Sequence, residues 1–325
     1  MKSYSYLTKW IKLPLTLCAI IWVIYQIRTH ESWIHLPAEG ETLIHFPMLA
    51  VLSMGLVAVN LSLEASKWKL SLAHLGISQS LRTAFRSVLV GLGLGLWMPG
   101  RIGEFPGRMH QLPASHWIRG GTLLSAGRLT QMLVSLSCFG LLWLAFFPQV
   151  AASGIPVYLP PLLVIAAWLG LLFIKKVHLG RKHTFLQKRK ALLEIYLAFL
   201  DVPTSLWAKL LGVSLGRYLI FSLQYILLLI SMGLPQHWLE LTALISLIFG
   251  MRSFLPSLAF ADIGVRESVA IAVAQWMDIP IFPVLVATLI LFIINLVMPA
   301  FIGLICYWQV ERKMEKNAKI RPSLG

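Results

Sequence analysis

Met98-Pro-Gly-Arg-Ile-Gly-Glu-Phe-Pro-Gly-Arg108 is a charged, glycine- and proline-rich stretch between two strongly apolar runs, at 88–97 and 122–147. Its position places three charged side chains in or beside a bilayer. Charges at membrane depth are costly and usually face a cavity or one another. Backbone broken by proline and glycine is tolerated there only where protein or water satisfies its polar groups. We therefore expect this stretch to line a polar site.

A second broken stretch, Leu255-Pro-Ser-Leu-Ala-Phe-Ala-Asp-Ile-Gly-Val-Arg-Glu267, lies between two apolar runs in the other half of the chain. One such break in each half is the best pattern from which a transport site can be predicted. Glu104 and Arg108 are four residues apart, as are Asp262 and Arg266, so each pair shares one face of a helix and can form an ion pair. For Asp262 the alternative is an N-cap of the helix that follows.

The composition is that of a polytopic membrane protein. Of 325 residues, 58% are hydrophobic and 13% are charged, whereas soluble domains carry about 25% charged residues. Apolar runs long enough to cross a bilayer recur along the chain. The net charge is +15, and the basic residues concentrate between the apolar runs. This pattern indicates cytoplasmic loops near anionic lipid headgroups, and we expect no nucleic-acid partner.

We predict an all-α integral membrane protein with about six full transmembrane helices and two re-entrant helical hairpins. The full spans are predicted at about 11–27, 46–63, 122–147, 157–174, 206–232 and 284–308. Residues 86–119 and 241–278 are predicted as the hairpins, because their apolar segments are too short to span as helices. For the first hairpin, an ordinary helix followed by a solvated loop is the alternative.

Three spans and one hairpin in each half would make an inverted repeat within a single membrane domain, 1–325. The halves cover about 10–150 and 155–310. Because three is odd, the second half starts on the opposite side of the membrane, as in many secondary transporters.

Lysine and arginine are most frequent near the termini and in residues 64–87 and 175–205. The positive-inside rule then places both termini in the cytoplasm, with 309–325 as a basic cytoplasmic tail. We expect a multi-pass protein of the cytoplasmic (inner) membrane.

The candidate headgroup-binding residues are the charged side chains of the two stretches and three arginines within apolar runs: Arg101, Glu104, Arg108, Arg128, Arg217, Arg252, Asp262, Arg266 and Glu267. Guanidinium groups bind phosphate through paired hydrogen bonds, so an anionic lipid headgroup is the expected ligand. For Arg128, Arg217 and Arg252 the alternative is an ion pair with a nearby acid. The sequence contains no nucleophile–base pattern, nucleotide-binding loop or metal-ligand spacing, so we expect no catalysis, cofactor or metal.

Other polar residues in or beside the spans have simpler interpretations. Asn60, Gln131, Gln224 and Asn295 are expected to form hydrogen bonds between helices. The charged segment that begins at Glu64 is expected to follow the second span, with Trp68 at the membrane interface.

The two stretches resemble the motifs of a known family. Met98–Glu104 with Arg108, followed by Arg128 in the next apolar run, resembles the first motif of the lysylphosphatidylglycerol synthase transmembrane-region family, also called the flippase-like domain family. Ile263–Glu267 after Pro256 resembles its second motif. The resemblance implies an integral inner-membrane protein that moves phospholipid or lipid-linked precursor headgroups between leaflets.

The resemblance extends over about residues 10–310, and 64–72 is similar to the segment that the family places ahead of its first motif. Members with a soluble C-terminal domain aminoacylate phosphatidylglycerol. Since 309–325 alone follow the last apolar run, we expect a stand-alone member that is not an enzyme. One alternative is a membrane accessory subunit of a lipid-modifying enzyme or glycosyltransferase, and another is a small-solute transporter.

Overall fold

The structure is a computed structural model that describes residues 46–96, 98, 101–110, 112–146, 161–166, 168–170, 194, 197–234, 237–254 and 261–320. Within those ranges it contains helices and no strand. The principal helices are α1 Phe46–His74, α2 Leu81–Leu96, α3 Glu104–Met109, α4 Trp117–Phe146, α5 Thr204–Ser231, α6 Trp238–Ser253, α7 Ala261–Trp276, α8 Ile281–Phe292 and α9 Met298–Ile320. A π-helical segment, Ile293–Val297, joins α8 to α9.

Among the described residues, four helices are long and apolar enough to cross a membrane: Pro47–His74, Ala114–Leu144, Thr204–Ser231 and Ile281–Gln309. They correspond to four of the six predicted spans and confirm an all-α membrane architecture. The predicted span at about 11–27 lies outside the described residues. The predicted span at 157–174 is described in part, as the short apolar helix Pro161–Gly170. Trp168 of this helix donates a hydrogen bond to Ser137 Oγ of α4 at 3.0 Å.

Helices α2 and α3 pack closely as an antiparallel hairpin, and glycines make this approach possible. A Cβ atom on Gly91 would lie 2.7 Å from Arg108 Cγ, and one on Gly95 would lie 2.7 Å from Glu104 Cγ. Gly93 faces the other way, where a Cβ atom would lie 2.9 Å from backbone atoms of α9. The alternating glycines of α2 therefore serve two interfaces, each with backbones in close contact.

The first hairpin begins earlier than the sequence predicts. Ser80 Oγ accepts a hydrogen bond from the backbone N–H of Thr83 at 3.1 Å, so Ser80 caps α2 and the helix begins at Leu81 rather than Arg86. At 16 residues, α2 is about 24 Å long, shorter than the roughly 30 Å hydrocarbon core.

The second predicted hairpin contains α6 and α7, which pack against each other. Each has 16 residues and is likewise too short to cross the core. Residues 255–260, its expected tip, lie outside the described residues.

Three apolar cores among the described residues hold the helices together. One connects α4, α5, α6, α7 and α8 around Phe139, Tyr225 and Leu244. A second connects α1, α2 and the beginning of α9 around Trp68 and Leu72. A third connects α4 and α5 around Leu210. Trp68 is 2% exposed, so the prediction that it lies at a membrane interface is wrong. The cause is that α1 continues for eleven residues beyond the predicted end of the second span, at 63, and carries Trp68 into the core.

Candidate functional site

A cavity of about 460 Å³ lies among α1, the tip of the first hairpin, and α3 to α7. Cavities of roughly 300–1,000 Å³ suit small ligands. Among the described residues, its charged lining contains seven basic side chains and two carboxylates. The cations are Lys67, Arg101, Arg108, Arg128, Arg217, Arg252 and Arg266, and the carboxylates are Glu64 and Glu104.

Glu64 on α1 binds two arginines from other helices. Its Oε1 accepts a hydrogen bond from Arg108 Nη2 at 2.7 Å, and its Oε2 accepts one from Arg217 Nη1. Arg217 Nε also donates to Asn60 Oδ1 at 2.9 Å, and Asn60 Nδ2 donates to Asn295 Oδ1 at 3.0 Å. One hydrogen-bonded chain thus joins α3, α1, α5 and the π-helical segment. Such segments often occur at functional sites.

Glu104, at the start of α3, is surrounded by three arginines. Arg128 Nη2 donates to its Oε2 at 2.7 Å, Arg108 Nη2 lies 3.6 Å from the same oxygen, and Arg101 Nε lies 3.8 Å from Oε1. The contact with Arg108 confirms the ion pair predicted from their spacing. The Arg128 guanidinium also lies over the Phe105 ring, 4.9 Å from its centroid. These contacts fix α3 against α4.

Arg101 lies at the tip with an unusual backbone. Its φ of 55° is in the left-handed region, which non-glycine residues occupy at a cost of about 1–3 kcal/mol. Its carbonyl oxygen accepts a hydrogen bond from Arg128 Nη2 at 3.4 Å. Its side chain remains 31% exposed. Arg101 is therefore held by its backbone while its guanidinium group faces the cavity.

Two site residues, Glu64 and Lys67, were not predicted from the sequence. Lys67 is 4% exposed and donates a hydrogen bond from Nζ to the Gly127 carbonyl oxygen at 2.6 Å. The expectation that this charged segment follows the span is wrong, because partners inside the protein replace water around the charges. The sequence feature that could have identified them is the spacing of Asn60, Glu64 and Lys67, which puts all three on one helical face.

The second stretch contributes Arg266 from α7 to the same cavity, beside Arg252 from α6. The Arg266 guanidinium lies over the Phe292 ring, 5.2 Å from its centroid. Glu267 is 1% exposed, and neither carboxylate oxygen has a hydrogen-bond partner among the described residues. Asp262 falls inside the first turn of α7 as described, one residue after the helix begins, and not at a cap position. Its side chain lies outside the described atoms.

Seven of the nine candidate residues therefore line one cavity: Arg101, Glu104, Arg108, Arg128, Arg217, Arg252 and Arg266. Glu267 is adjacent to one of them in the sequence and is buried in the protein.

Amide side chains hold the surrounding helices together, as predicted. Gln224 Nε2 donates to the Ser53 carbonyl oxygen at 2.8 Å and so joins α5 to α1. Gln131 Nε2 donates to the Ser214 carbonyl oxygen at 3.3 Å and joins α4 to α5. Asn60, Gln131 and Asn295 also line the cavity.

Comparison with known proteins gives one match. The family model described as lysylphosphatidylglycerol synthase TM region matches residues 10–303 of the 325-residue chain. Searches of curated proteins and of solved structures gave no match. The matched segment contains both broken stretches and all the cavity residues. The chain therefore belongs to the lysylphosphatidylglycerol synthase transmembrane-region family.

Proposed function

We propose that the protein moves an anionic phospholipid or a lipid-linked precursor headgroup between the leaflets of the cytoplasmic membrane, and that it acts without catalysis. Membership of a transmembrane-region family named for a lipid synthase indicates a lipid-related function. The cavity is the observation that carries the finer proposal. Among the described residues, its lining has six arginines and one lysine against two carboxylates, so the arginines alone exceed the carboxylates by four.

Positive charge in excess at membrane depth is costly unless an anion compensates it. A phosphate is well suited to this cavity because guanidinium groups bind it through two parallel hydrogen bonds. Arg101 and Arg128 keep 31% and 37% of their side chains exposed, so both remain open to a ligand.

The charges are unevenly arranged. Among the described residues, both carboxylates of the cavity lining come from α1 and α3, and two of its arginines come from α6 and α7. We place the phosphate between the tip of the first hairpin and the α6–α7 pair, within reach of Arg101 and Arg266. Acyl chains would remain in the bilayer.

The proposal includes the full predicted topology, with six spans, two re-entrant hairpins in an inverted repeat, and both termini in the cytoplasm. The short α2, α6 and α7 support it, as does the presence of residues from both broken stretches in one cavity. Residues from two repeats surround one binding site in many transporters.

The test is leaflet exchange of acyl-labelled lipids with different headgroups in proteoliposomes of the purified protein. The double variant Arg101→Ala/Arg266→Ala removes one cation from each stretch and leaves Glu104 bound to Arg128. Losing even one charged hydrogen bond, worth about 1.5 kcal/mol or more, should slow exchange of phosphatidylglycerol at least about tenfold. Arg101→Ala alone should also slow the exchange of phosphatidylglycerol.

The matched control is Arg82→Ala/Arg119→Ala, which removes two exposed arginines. It should exchange lipid at the native rate. Native exchange by the Arg101/Arg266 variant, in protein that melts normally, would refute the site. If the native protein exchanges no headgroup, the accessory role beside a lipid-modifying enzyme or glycosyltransferase becomes the better proposal, and a co-purifying enzyme should be sought.

A further inference from the structure

Glu267 differs from the two carboxylates of the cavity, since its oxygens accept no hydrogen bond from the described residues. Glu64 and Glu104 each lie within 4.0 Å of at least two arginines. Glu267 is 1% exposed, and both of its oxygens lack a hydrogen-bond partner among the described residues.

An ionised carboxylate in that position is unfavourable. Burying a charge without hydrogen bonds costs several kcal/mol, so such a group takes up a proton instead. The groups that act on Glu267 are the guanidinium groups of Arg266 on its own helix and Arg252 on α6, with the Tyr225 hydroxyl from α5. On α8, the Thr288 hydroxyl group forms a hydrogen bond with the Tyr225 hydroxyl group and not with Glu267.

From this geometry we infer that Glu267 is a proton-binding site and that proton binding is coupled to occupancy of the cavity by an anionic headgroup. The coupling of proton binding to headgroup binding rests on the proposed function.

The coupling follows from the two arginines. Arg252 and Arg266 line the cavity, and their positive charges also act on Glu267. Their positive charges favour the ionised form of Glu267. A phosphate bound to them offsets that charge and so favours the protonated form. Because coupling between two sites is reciprocal, the proton favours phosphate binding by the same factor.

Proton and headgroup would therefore be bound together and move in the same direction. The proton leaves water on one side of the membrane, joins a carboxylate oxygen of Glu267, and returns to water on the other side. No covalent bond of the lipid changes. A proton gradient is then the driving force for the lipid, and no nucleotide is needed.

The first test uses phosphatidylcholine vesicles that contain a trace of acyl-labelled phosphatidylglycerol and an imposed pH gradient. With the native protein and one proton per lipid, a gradient of one pH unit should shift the distribution of label between leaflets by up to about tenfold. Glu267→Gln mimics the protonated group, so exchange should continue while its response to the gradient is lost. The control Glu240→Gln changes an exposed carboxylate on α6 and should respond like the native protein.

A retained response in Glu267→Gln would overturn the inference, as would native exchange that ignores the gradient. The second test does not depend on transport. Infrared difference spectra of native protein against Glu267→Gln should contain the carbonyl band of a protonated carboxylic acid, with no such band in the Glu240→Gln difference.

The two tests separate the two proposals. If lipid exchanges but the infrared band is absent, the proton site is wrong and the proposed function stands. If the band is present but no lipid exchanges, Glu267 binds a proton but its coupling to a lipid headgroup is wrong, together with the proposed function.

Discussion

Replacing Glu64 by glutamine removes the negative charge that two arginines share at the centre of the network. Arg108 is 3% exposed and Arg217 19% exposed, so water can do little to replace the lost carboxylate. An amide oxygen can accept from one guanidinium group, but the amide N–H groups then face the other. The variant keeps the shape of the side chain and changes its charge alone.

The cost is set by the arginines left behind. Breaking a buried ion pair by removing one partner costs about 3–5 kcal/mol. Arg108 keeps a contact with Glu104 at 3.6 Å, and Arg217 keeps its hydrogen bond to Asn60, so we expect the lower end, about 3 kcal/mol. A loss of that size lowers the melting temperature of a chain of this length by roughly 5–10 °C.

The assay is thermal unfolding of the purified protein in detergent, with Glu240→Gln as the control carboxylate. A double-mutant cycle with Arg217→Gln isolates the pair. Removing both charges should cost less than the sum of the single changes by about 1–3 kcal/mol. If Glu64→Gln has the same melting temperature as the control, or if the effects of Glu64→Gln and Arg217→Gln are additive, the Glu64 ion pairs do not hold the helices together.

Two further changes test the packing around the site. Gly107→Ala places a methyl group 2.7 Å from Gly91 Cα, against backbone that cannot rotate away, and should destabilise the hairpin by about 1–3 kcal/mol in thermal unfolding. The control Gly212→Ala has no atom within 4 Å of the added methyl group and should not destabilise the protein in this way. Equal melting temperatures of the two variants would contradict the close approach of α2 and α3. Asn60→Ala and Asn295→Ala should show a coupling of about 0.6 kcal/mol in a double-mutant cycle, and strict additivity would contradict the hydrogen bond between them.

Apolar runs predicted four spans correctly because their length and composition are local properties. The predicted ends were less accurate. The apolar run that predicted α1 ends at residue 63, where charged residues begin, but the helix itself continues to His74. The rule that charge marks the end of a span assumes that water must solvate the charge. Glu64 and Lys67 find partners inside the protein, so the rule fails for them.

The sequence predicted only part of the charged site, because it does not show which charges find partners inside the protein. Arginines in broken or apolar stretches are conspicuous, since they conflict with their surroundings. Their partners are not conspicuous, because pairing joins residues far apart in the chain: Arg108 lies 44 residues from Glu64, and Arg217 lies 153 residues from it. A sequence without a structure identifies the costly charges but not the contacts that stabilise them.

The charged residues of the cavity should divide into two classes in experiment. Glu64 and its arginines hold α1, α3 and α5 together, so their variants should lose melting temperature and exchange activity in proportion. Arg101 is 31% exposed and faces the cavity, so Arg101→Ala should lose exchange at nearly unchanged melting temperature. Plotting exchange rate against melting temperature for all the variants tests this directly. If both classes fall on one line, the charges act through folding alone, and the cavity needs no ligand to explain them.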